Sequence, residues 1–231
     1  MKFLIVASGW NCEYYVKDCI DSIHAQTYKD FNYILINDAS TDGTGKLLGK
    51  SGGNKEVYHT ATNMGLVASR AYALSLTKFE YDVIVWLDLD DRLTLIALEK
   101  IAEAYTDPDV WLTYGSYIDT YGRKWTAQIE EGPLRQQAWK FIPLRTFRKE
   151  LYFKLSNEDL FPAIRTVYPD ANVLFSLMEM AEGHTKAIGD VLYVYRDTNP
   201  LHVVRRFPDE QREVEIAYIR SLPPKKKLES L

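Results

Sequence analysis

The stretch Asp82-Val83-Ile84-Val85-Trp86-Leu87 runs directly into Asp88-Leu89-Asp90-Asp91. An unbroken apolar run of this length, rich in β-branched residues, reads as a strand buried on both faces, the kind that parallel sheets use. Behind it, Asp88, Asp90 and Asp91 crowd three carboxylates together. Like charges at that spacing repel, so the cluster needs a cation or hydrogen bonds to relieve it. Hard oxygen ligands at a strand end suit Mg2+ or Mn2+, which bind one or two carboxylates together with substrate phosphates. The plainer alternative is a helix start, with Asp90 or Asp91 capping a helix entered near Leu93. The position directly behind a buried strand favours the metal.

Towards the N-terminus, strand and helix patterns alternate. Lys2–Ser8 is a short apolar strand. Glu13–Gln26 places Tyr15, Val16, Cys19, Ile20 and Ile23 at helical spacing. Phe31–Asp38 is a second strand, followed by turn residues over Ser40–Gly45 and a short helix. Glu56–His59 is a brief strand, Leu66–Leu76 an Ala/Leu-rich helix, and Leu95–Tyr105, beyond the acidic cluster, another helix. Such alternation predicts βαβ units, right-handed crossovers and a mainly parallel sheet flanked by helices. Ligands of these sheets bind beyond the carboxyl ends of the strands. Three strands end in polar residues at that edge: Ser8 with Asn11, Asn37 with Asp38, and Asp88 with Asp90 and Asp91. The topology therefore predicts that they share one crevice.

The second half is less regular. Val110–Ile118 reads as a strand and Asp119–Arg123 as a turn. Gly132, Pro133 and Pro143 punctuate a basic, aromatic, loop-rich stretch. Phe147–Leu155 reads as a short helix, Asp170–Glu182 as a helix ending at Gly183, and Val191–Arg196 as a strand. Pro208–Leu222 is an amphipathic helix, and Pro223–Leu231 reads as a mobile basic tail. No repeat or linker divides the chain.

Composition narrows the classes. With 231 residues, 46% hydrophobic and 26% charged, the chain is neither disordered, collagen-like nor a coiled coil, and it is long enough for a substantial core. A net charge of −4 argues against nonspecific nucleic-acid binding. Cys12 and Cys19 read as two turns apart on one helix, too far for a disulfide, and so as buried free thiols in a reducing compartment. Phe3–Ala7 is too short for a signal-peptide core, and no stretch approaches the roughly 20 apolar residues of a membrane span. The expectation is a soluble, cytoplasmic protein. Peripheral membrane contact stays open, with Lys225-Lys226-Lys227 most simply a solvated tail.

Several segments, in order, resemble the family-2 glycosyltransferases of the GT-A fold. Val6-Ala7-Ser8-Gly9-Trp10-Asn11, Tyr15-Val16, Cys19-Ile20, Ser22-Ile23 and Gln26-Thr27-Tyr28 are similar to that family's first strand and helix. Ile36-Asn37-Asp38-Ala39-Ser40-Thr41-Asp42-Gly43-Thr44 resembles its "DD-S-x-DGT" segment. Asn63-Met64-Gly65 with Ala68-Ser69-Arg70 resembles "N-x-G-x-x-x-A-R", and Leu87-Asp88-Leu89-Asp90-Asp91 resembles "LD-x-DD". Further on, Asp170, Leu174, Leu177 and Gly183 resemble the "ED-x-x-L" helix, with Pro169 in place of the Glu, while "Q-x-x-R-W" has no counterpart. The resemblance implies a single GT-A domain over residues 1–205, with a nucleotide-binding half at 1–105 and an acceptor half at 106–205. A C-terminal helix and basic tail would follow at 206–231.

It also implies roles. Mn2+ or Mg2+ would sit on Asp90 and Asp91, with Asp88 helping to hold ion or ribose and His202, or less simply His184, as a third ligand. Asp38 would read the base, since a carboxylate accepts the N3–H of uracil, and Ser8, Asn11 and Asn63 would line the nucleotide. Arg70 would face the phosphates with its planar donor fork. Asp170 would be the catalytic base, with Glu179 as runner-up, although a dipole-stabilised carboxylate at a helix start needs partial burial to serve as one. Asp42-Gly43-Thr44 reads as a turn and helix start, Tyr114, Tyr117, Trp125 and Trp139 as core or sugar-stacking aromatics.

The function implied is a metal-dependent, inverting transfer of sugar from a nucleotide-sugar, UDP-linked by the Asp38 reading, to an acceptor hydroxyl such as a glycan's. Two other classes share the acidic cluster. A nucleotidyltransferase normally has a Gly-rich basic loop after the first strand, where this chain has Ser8-Gly9-Trp10-Asn11-Cys12-Glu13. A non-catalytic nucleotide-sugar-binding module would not need the intact cluster.

Overall fold

The computed structural model describes residues 1–126, 129–137, 142–161, 169–201, 205 and 208–231. In chain order the elements are β1 (Phe3–Gly9), α1 (Val16–His24), β2 (Phe31–Asn37), α2 (Thr44–Lys50), β3 (Lys55–His59), α3 (Leu66–Leu76), β4 (Val83–Asp88), β5 (Arg92–Leu93) and α4 (Ala97–Ala104). Then come β6 (Leu112–Asp119), β7 (Lys124–Trp125), β8 (Arg145–Arg148), α5 (Lys149–Tyr152), α6 (Asn157–Leu160), α7 (Pro169–Met180), β9 (Thr185–Tyr195) and α8 (Asp209–Ser221).

The strands form one sheet in the order β3-β2-β1-β4-β8-β6-β9-β5, with β7 paired to β6. β1 lies parallel to both β2 and β4, β2 to β3, and β6 to β9, while β8 runs antiparallel between β4 and β6. The sheet is thus mixed α/β and mostly parallel on its N-terminal side. The continuous apolar strands have a simple cause: both faces are covered. Phe3, Ile5, Ala7, Val83, Val85 and Leu87 pack beneath α1 and α4, on Val16, Cys19, Ile23, Leu98 and Ile101. Leu4, Val6, Ile84 and Trp86 point the other way, onto Val67 and Leu74 of α3 and Leu174, Phe175 and Met178 of α7.

Three local expectations are corrected. Phe147–Leu155 is not one helix: β8 occupies Arg145–Arg148 and only Lys149–Tyr152 is helical there. Alternation explains it, since Phe147 enters one core while Thr146, fully buried, bonds Thr113 Oγ1 at 2.7 Å and Tyr105 Oη at 3.0 Å on the opposite face. Cys12 precedes α1 rather than sharing it with Cys19, and both thiols are buried and free. The tail at Pro223–Leu231 is docked. Leu228 N–H donates to Met180 O (3.0 Å), Lys225 N–H to Glu179 (2.8 Å), and the Lys225 ammonium pairs with Asp159. Leu228 and Leu231 cover the α7 core, apolar area that a free tail would leave in water. No helix among the described residues is long and apolar enough to cross a membrane.

Candidate active site

The ends of β1, β2 and β4 meet because they are neighbours in the sheet. Two consecutive carbonyls of β1 anchor the turns on either side: Asp38 N–H donates to Gly9 O (3.0 Å) and Leu89 N–H to Ser8 O (3.0 Å). The close approach requires glycine at position 9, where a Cβ would lie 2.8 Å from both Cys12 Sγ and Leu89 Cβ. Asp38 and the Asp88–Asp91 turn therefore flank one strand end.

Asp38 is buried, and its carboxylate accepts three hydrogen bonds. Oδ1 accepts from Met64 N–H (2.9 Å) and Thr60 Oγ1–H (2.9 Å), and Oδ2 from Gly65 N–H (2.8 Å). Asn63 Nδ2 adds a bond to the Asp38 carbonyl (3.3 Å). Gly65 takes φ +85°, a left-handed value that favours glycine, and α3 starts immediately after it. Asp38 thus clamps the Asn63–Gly65 turn, with two donors on Oδ1 and one on Oδ2. Asn11, at φ 53°, ties the β1 turn to the β2 turn, accepting Thr41 N–H on Oδ1 (2.8 Å) while its own N–H donates to Ser40 Oγ (2.9 Å). Ser8 is buried, and its hydroxyl has no hydrogen-bond partner among the described residues.

Arg70 is corrected more sharply. It is 1% exposed under α3, with its guanidinium 4.8 Å over the Trp86 ring and Nη2 donating to Leu87 O (2.7 Å) and Asp88 Oδ1 (2.6 Å). An arginine so deep does not face a ligand's phosphates. It neutralises part of Asp88 and fixes that carboxylate's direction.

The three carboxylates of the acidic turn differ. Asp91 is buried, and both its oxygens are used: Tyr193 Oη–H donates to Oδ2 (2.6 Å) and Arg196 N–H to Oδ1 (2.6 Å). Burial and the charges of Asp90 and Asp88 push its pKa far up. Asp90 is partly buried, accepts Asn199 Nδ2–H on Oδ2 (2.8 Å), and is pushed up to about 6 by burial and the Asp88 charge. Asp88 Oδ2 and Asp90 Oδ1 accept no hydrogen bond from any other described residue. In this structure each Asp91 oxygen takes a bond from the end of β9, while Asp88 and Asp90 each keep an oxygen without a partner from another described residue. No group of three or more His, Cys, Asp or Glu among the described residues is arranged to hold a metal ion. Two hard oxygens in a locally overcharged turn fit an ion that completes its shell with phosphate oxygens and water.

Asp170 stands in the first turn of α7, mostly buried, and accepts from Arg145 Nη1 (3.0 Å). Arg145 is in register with Trp86, two residues before Asp88, so this pair belongs to the same sheet edge. Glu179 does not. Its carboxylate is buried, held by Arg135 through Nε (2.6 Å) and Nη2 (3.0 Å) and by Lys225 N–H, which fastens the tail. As a base it is ruled out by this bidentate pair. His184 stacks on Trp111 with centroids 3.7 Å apart, away from the acidic turn. His202 and Trp139 lie outside the described residues. Tyr114 is core, while Tyr117 and half-exposed Trp125 stack on each other at the β6–β7 hairpin. Sequence reading missed Tyr193, Arg196 and Asn199, the groups that fasten the acidic turn. The only signal was their place at the end of the last strand.

A twisted, mostly parallel sheet with helices on both faces and an acidic turn at its carboxyl edge defines the GT-A class. Matching solved structures include S. aureus TarS residues 1–349 in complex with UDP-GlcNAc, at TM-score 0.73 and 18% identity, covering 95% of this chain and 65% of that one. A second is the mannosyltransferase PcManGT of Pyrobaculum calidifontis in complex with GDP-Man and Mn2+, at TM-score 0.65 and 18% identity, covering 97% of this chain and 66% of that one. These likenesses concern the fold. The chain belongs to glycosyl transferase family 2, whose sequence model matches residues 5–168. Its relatives include glycosyltransferase GlyA of Streptococcus pneumoniae, 27% identical over 118 residues, which are 50% of this chain and 17% of that protein. Another is the teichoic acid poly(glycerol phosphate) polymerase of Staphylococcus epidermidis, 29% identical over 110 residues, 47% of this chain and 15% of that protein. The matched region is thus a small part of these longer relatives.

Proposed function

We propose that the chain acts as a metal-dependent, inverting glycosyltransferase that moves a sugar from a nucleoside-diphosphate sugar, UDP-linked in the simplest reading, to an acceptor hydroxyl of a glycan. The observation that carries this reading is the pair of carboxylates, Asp88 and Asp90, that each keep an unbonded oxygen at the carboxyl edge of the sheet. Family membership and the nucleotide-sugar complexes of TarS and PcManGT support the donor class.

Asp88 and Asp90 would hold the ion. Mn2+ or Mg2+ bound there supplies the positive charge that a departing diphosphate needs. Arg70 keeps Asp88 pointed outward, and the Asp38-clamped turn and the Asn11–Thr41 bond shape the nucleotide side. Asp170 takes the proton of the acceptor hydroxyl on Oδ1, the oxygen not engaged by Arg145. The hydroxyl oxygen then attacks the anomeric carbon opposite the leaving phosphate, and the configuration inverts.

Isothermal titration of UDP with Mn2+ and with EDTA tests the donor site. Mn2+ is expected to tighten UDP binding in the wild type and to have no effect in Asp90→Ala. Equal affinity under both conditions in the wild type sinks the metal role. Asp170→Asn is expected to bind UDP normally and to lose at least about 100-fold in transfer, the usual size of a general-base contribution. Full turnover in that variant removes Asp170 from the mechanism.

A further inference from the structure

Beside Ser8 and Arg70, the acidic turn is held by residues a hundred positions away. Tyr193 and Arg196 N–H bond Asp91, Arg196 Nε donates to the Asp90 carbonyl (3.0 Å), and Asn199 Nδ2 donates to Asp90 Oδ2 (2.8 Å). Arg196 is braced from behind by Asp18 Oδ2 (3.0 Å) and by the Tyr15 ring, 4.8 Å from its guanidinium carbon. Of these contacts, only the Asn199 bond reaches a carboxylate that still has an open oxygen.

Both ends of the Asn199 amide are used. It is 4% exposed, and its Oδ1 accepts Leu201 N–H (2.9 Å), which leaves Nδ2 no choice but to point at Asp90. A carboxylate with one oxygen pinned presents the other in a fixed direction. Without the pin, Asp90 would be free to turn away from the like charge of Asp88, and its ligand geometry would be lost.

We propose that Asn199 is a positioning residue that orients Asp90 and thereby sets how tightly the site holds a divalent ion together with a nucleoside diphosphate. The inference rests on the donor-site reading above. Residues that orient a metal ligand from behind typically contribute about 10- to 100-fold to metal affinity.

The test is calorimetric titration of UDP into Asn199→Ala in Mn2+ and in EDTA, beside the wild type and a thermal melt. The expected result is an Mn2+ enhancement of UDP binding at least about tenfold smaller than in wild type, with UDP affinity in EDTA unchanged. A purely architectural role would lower the melting temperature or both affinities together. Wild-type Mn2+ enhancement in folded Asn199→Ala overturns the assignment. If that variant does not fold, Asn199→Ser carries the same test, because its hydroxyl can still cap Leu201 N–H but is too short to reach Asp90. A wild-type protein whose UDP binding ignores Mn2+ overturns the donor-site reading itself, and this inference with it, whatever the variants do.

Discussion

The turns after β2 and β4 begin alike and end differently. Each hangs from the last residues of β1, and each places aspartate at the carboxyl edge of the sheet. In the first, each oxygen of the Asp38 carboxylate takes bonds from the chain, three donors in all. In the second, Asp91 is closed in the same manner, but Asp88 and Asp90 each keep an oxygen, and the charge of Asp88 helps push Asp90 up to about 6. The protein evidently can satisfy a buried carboxylate at this edge, since it does so twice. The other two stand side by side at the partly exposed end of the turn, where a cation would relieve their mutual repulsion. The contrast is what the proposal rests on: binding at the second turn, support at the first.

The largest effect should come from the open carboxylate. Asp90→Ala is expected to lower metal-dependent transfer or donor hydrolysis by about 100- to 1,000-fold, the size of losing one group that stabilises transition-state charge. Relief of the charge beside Asp88 offsets the lost Asn199 bond, so its melting temperature in EDTA should change little. Asp38→Ala should behave oppositely. Removing the shared acceptor leaves Met64 N–H, Gly65 N–H and the Thr60 hydroxyl unpaired, at a cost of about 3 kcal/mol. In a chain of this size that lowers the melting temperature by roughly 6–12 °C. Should Asp38→Ala melt like wild type while losing UDP affinity, Asp38 would be a ligand contact and the contrast between the turns would be wrong.

A smaller effect sharpens the comparison through pH. Asp90 titrates near 6 in the folded chain, above the ordinary carboxylate range. Between about pH 4 and pH 6 the folded state therefore holds a proton that the unfolded state has released. This group's contribution to stability falls as pH rises through that window and is least favourable at neutral pH. Ion binding competes with that proton. Mn2+ should thus raise the melting temperature at pH 7.5 and add little at pH 5. Asp90→Asn, with the repulsion removed, should melt roughly 2–6 °C higher than wild type without metal at pH 7.5, about 1–2 kcal/mol, and should not respond to Mn2+. A lower melting point for that variant in EDTA would contradict the picture of uncompensated charge.

The sequence made the sheet edge legible because its signals are local. The apolar run at Val83–Leu87 needs no partner to be read as a buried strand, and the polar residues at three strand ends follow from alternation alone. The order of the carboxylates' roles was not legible. Whether Asp90 or Asp91 stays open depends on Tyr193, Arg196 and Asn199, brought in by the last strand. Arg70 shows the same limit: its helix is apolar enough to place it inward, yet only the sheet position of Leu87 and Asp88 shows that it ends in a buried pair. β8 escaped notice because a strand of Arg145–Arg148 carries too short a pattern to outweigh the helical residues after it. Glu179 was misleading for a further reason, since its partner Arg135 sits in a one-turn 3-10 helix, Leu134–Gln136, whose docking no periodicity announces.

The smallest effect concerns the closed member of the acidic turn. Tyr193→Phe removes one hydroxyl and keeps the ring in the core, so it deletes the 2.6 Å bond to Asp91 and the longer 3.4 Å bond the hydroxyl accepts from Asp88 N–H. Arg196 N–H still holds the other oxygen, so the carboxylate keeps a partner. A bond of this type contributes about 1–2 kcal/mol, which predicts a melting temperature roughly 2–6 °C lower. Because both Asp91 oxygens are bonded from the end of β9, Mn2+ affinity measured in the presence of UDP should stay within about threefold of wild type, well short of the 10- to 100-fold expected when a residue orients a bound metal's own ligand. A tenfold loss of Mn2+ affinity with an unchanged melting temperature would instead make Asp91 an ion ligand, and the division of the turn into open and closed carboxylates would have to be redrawn.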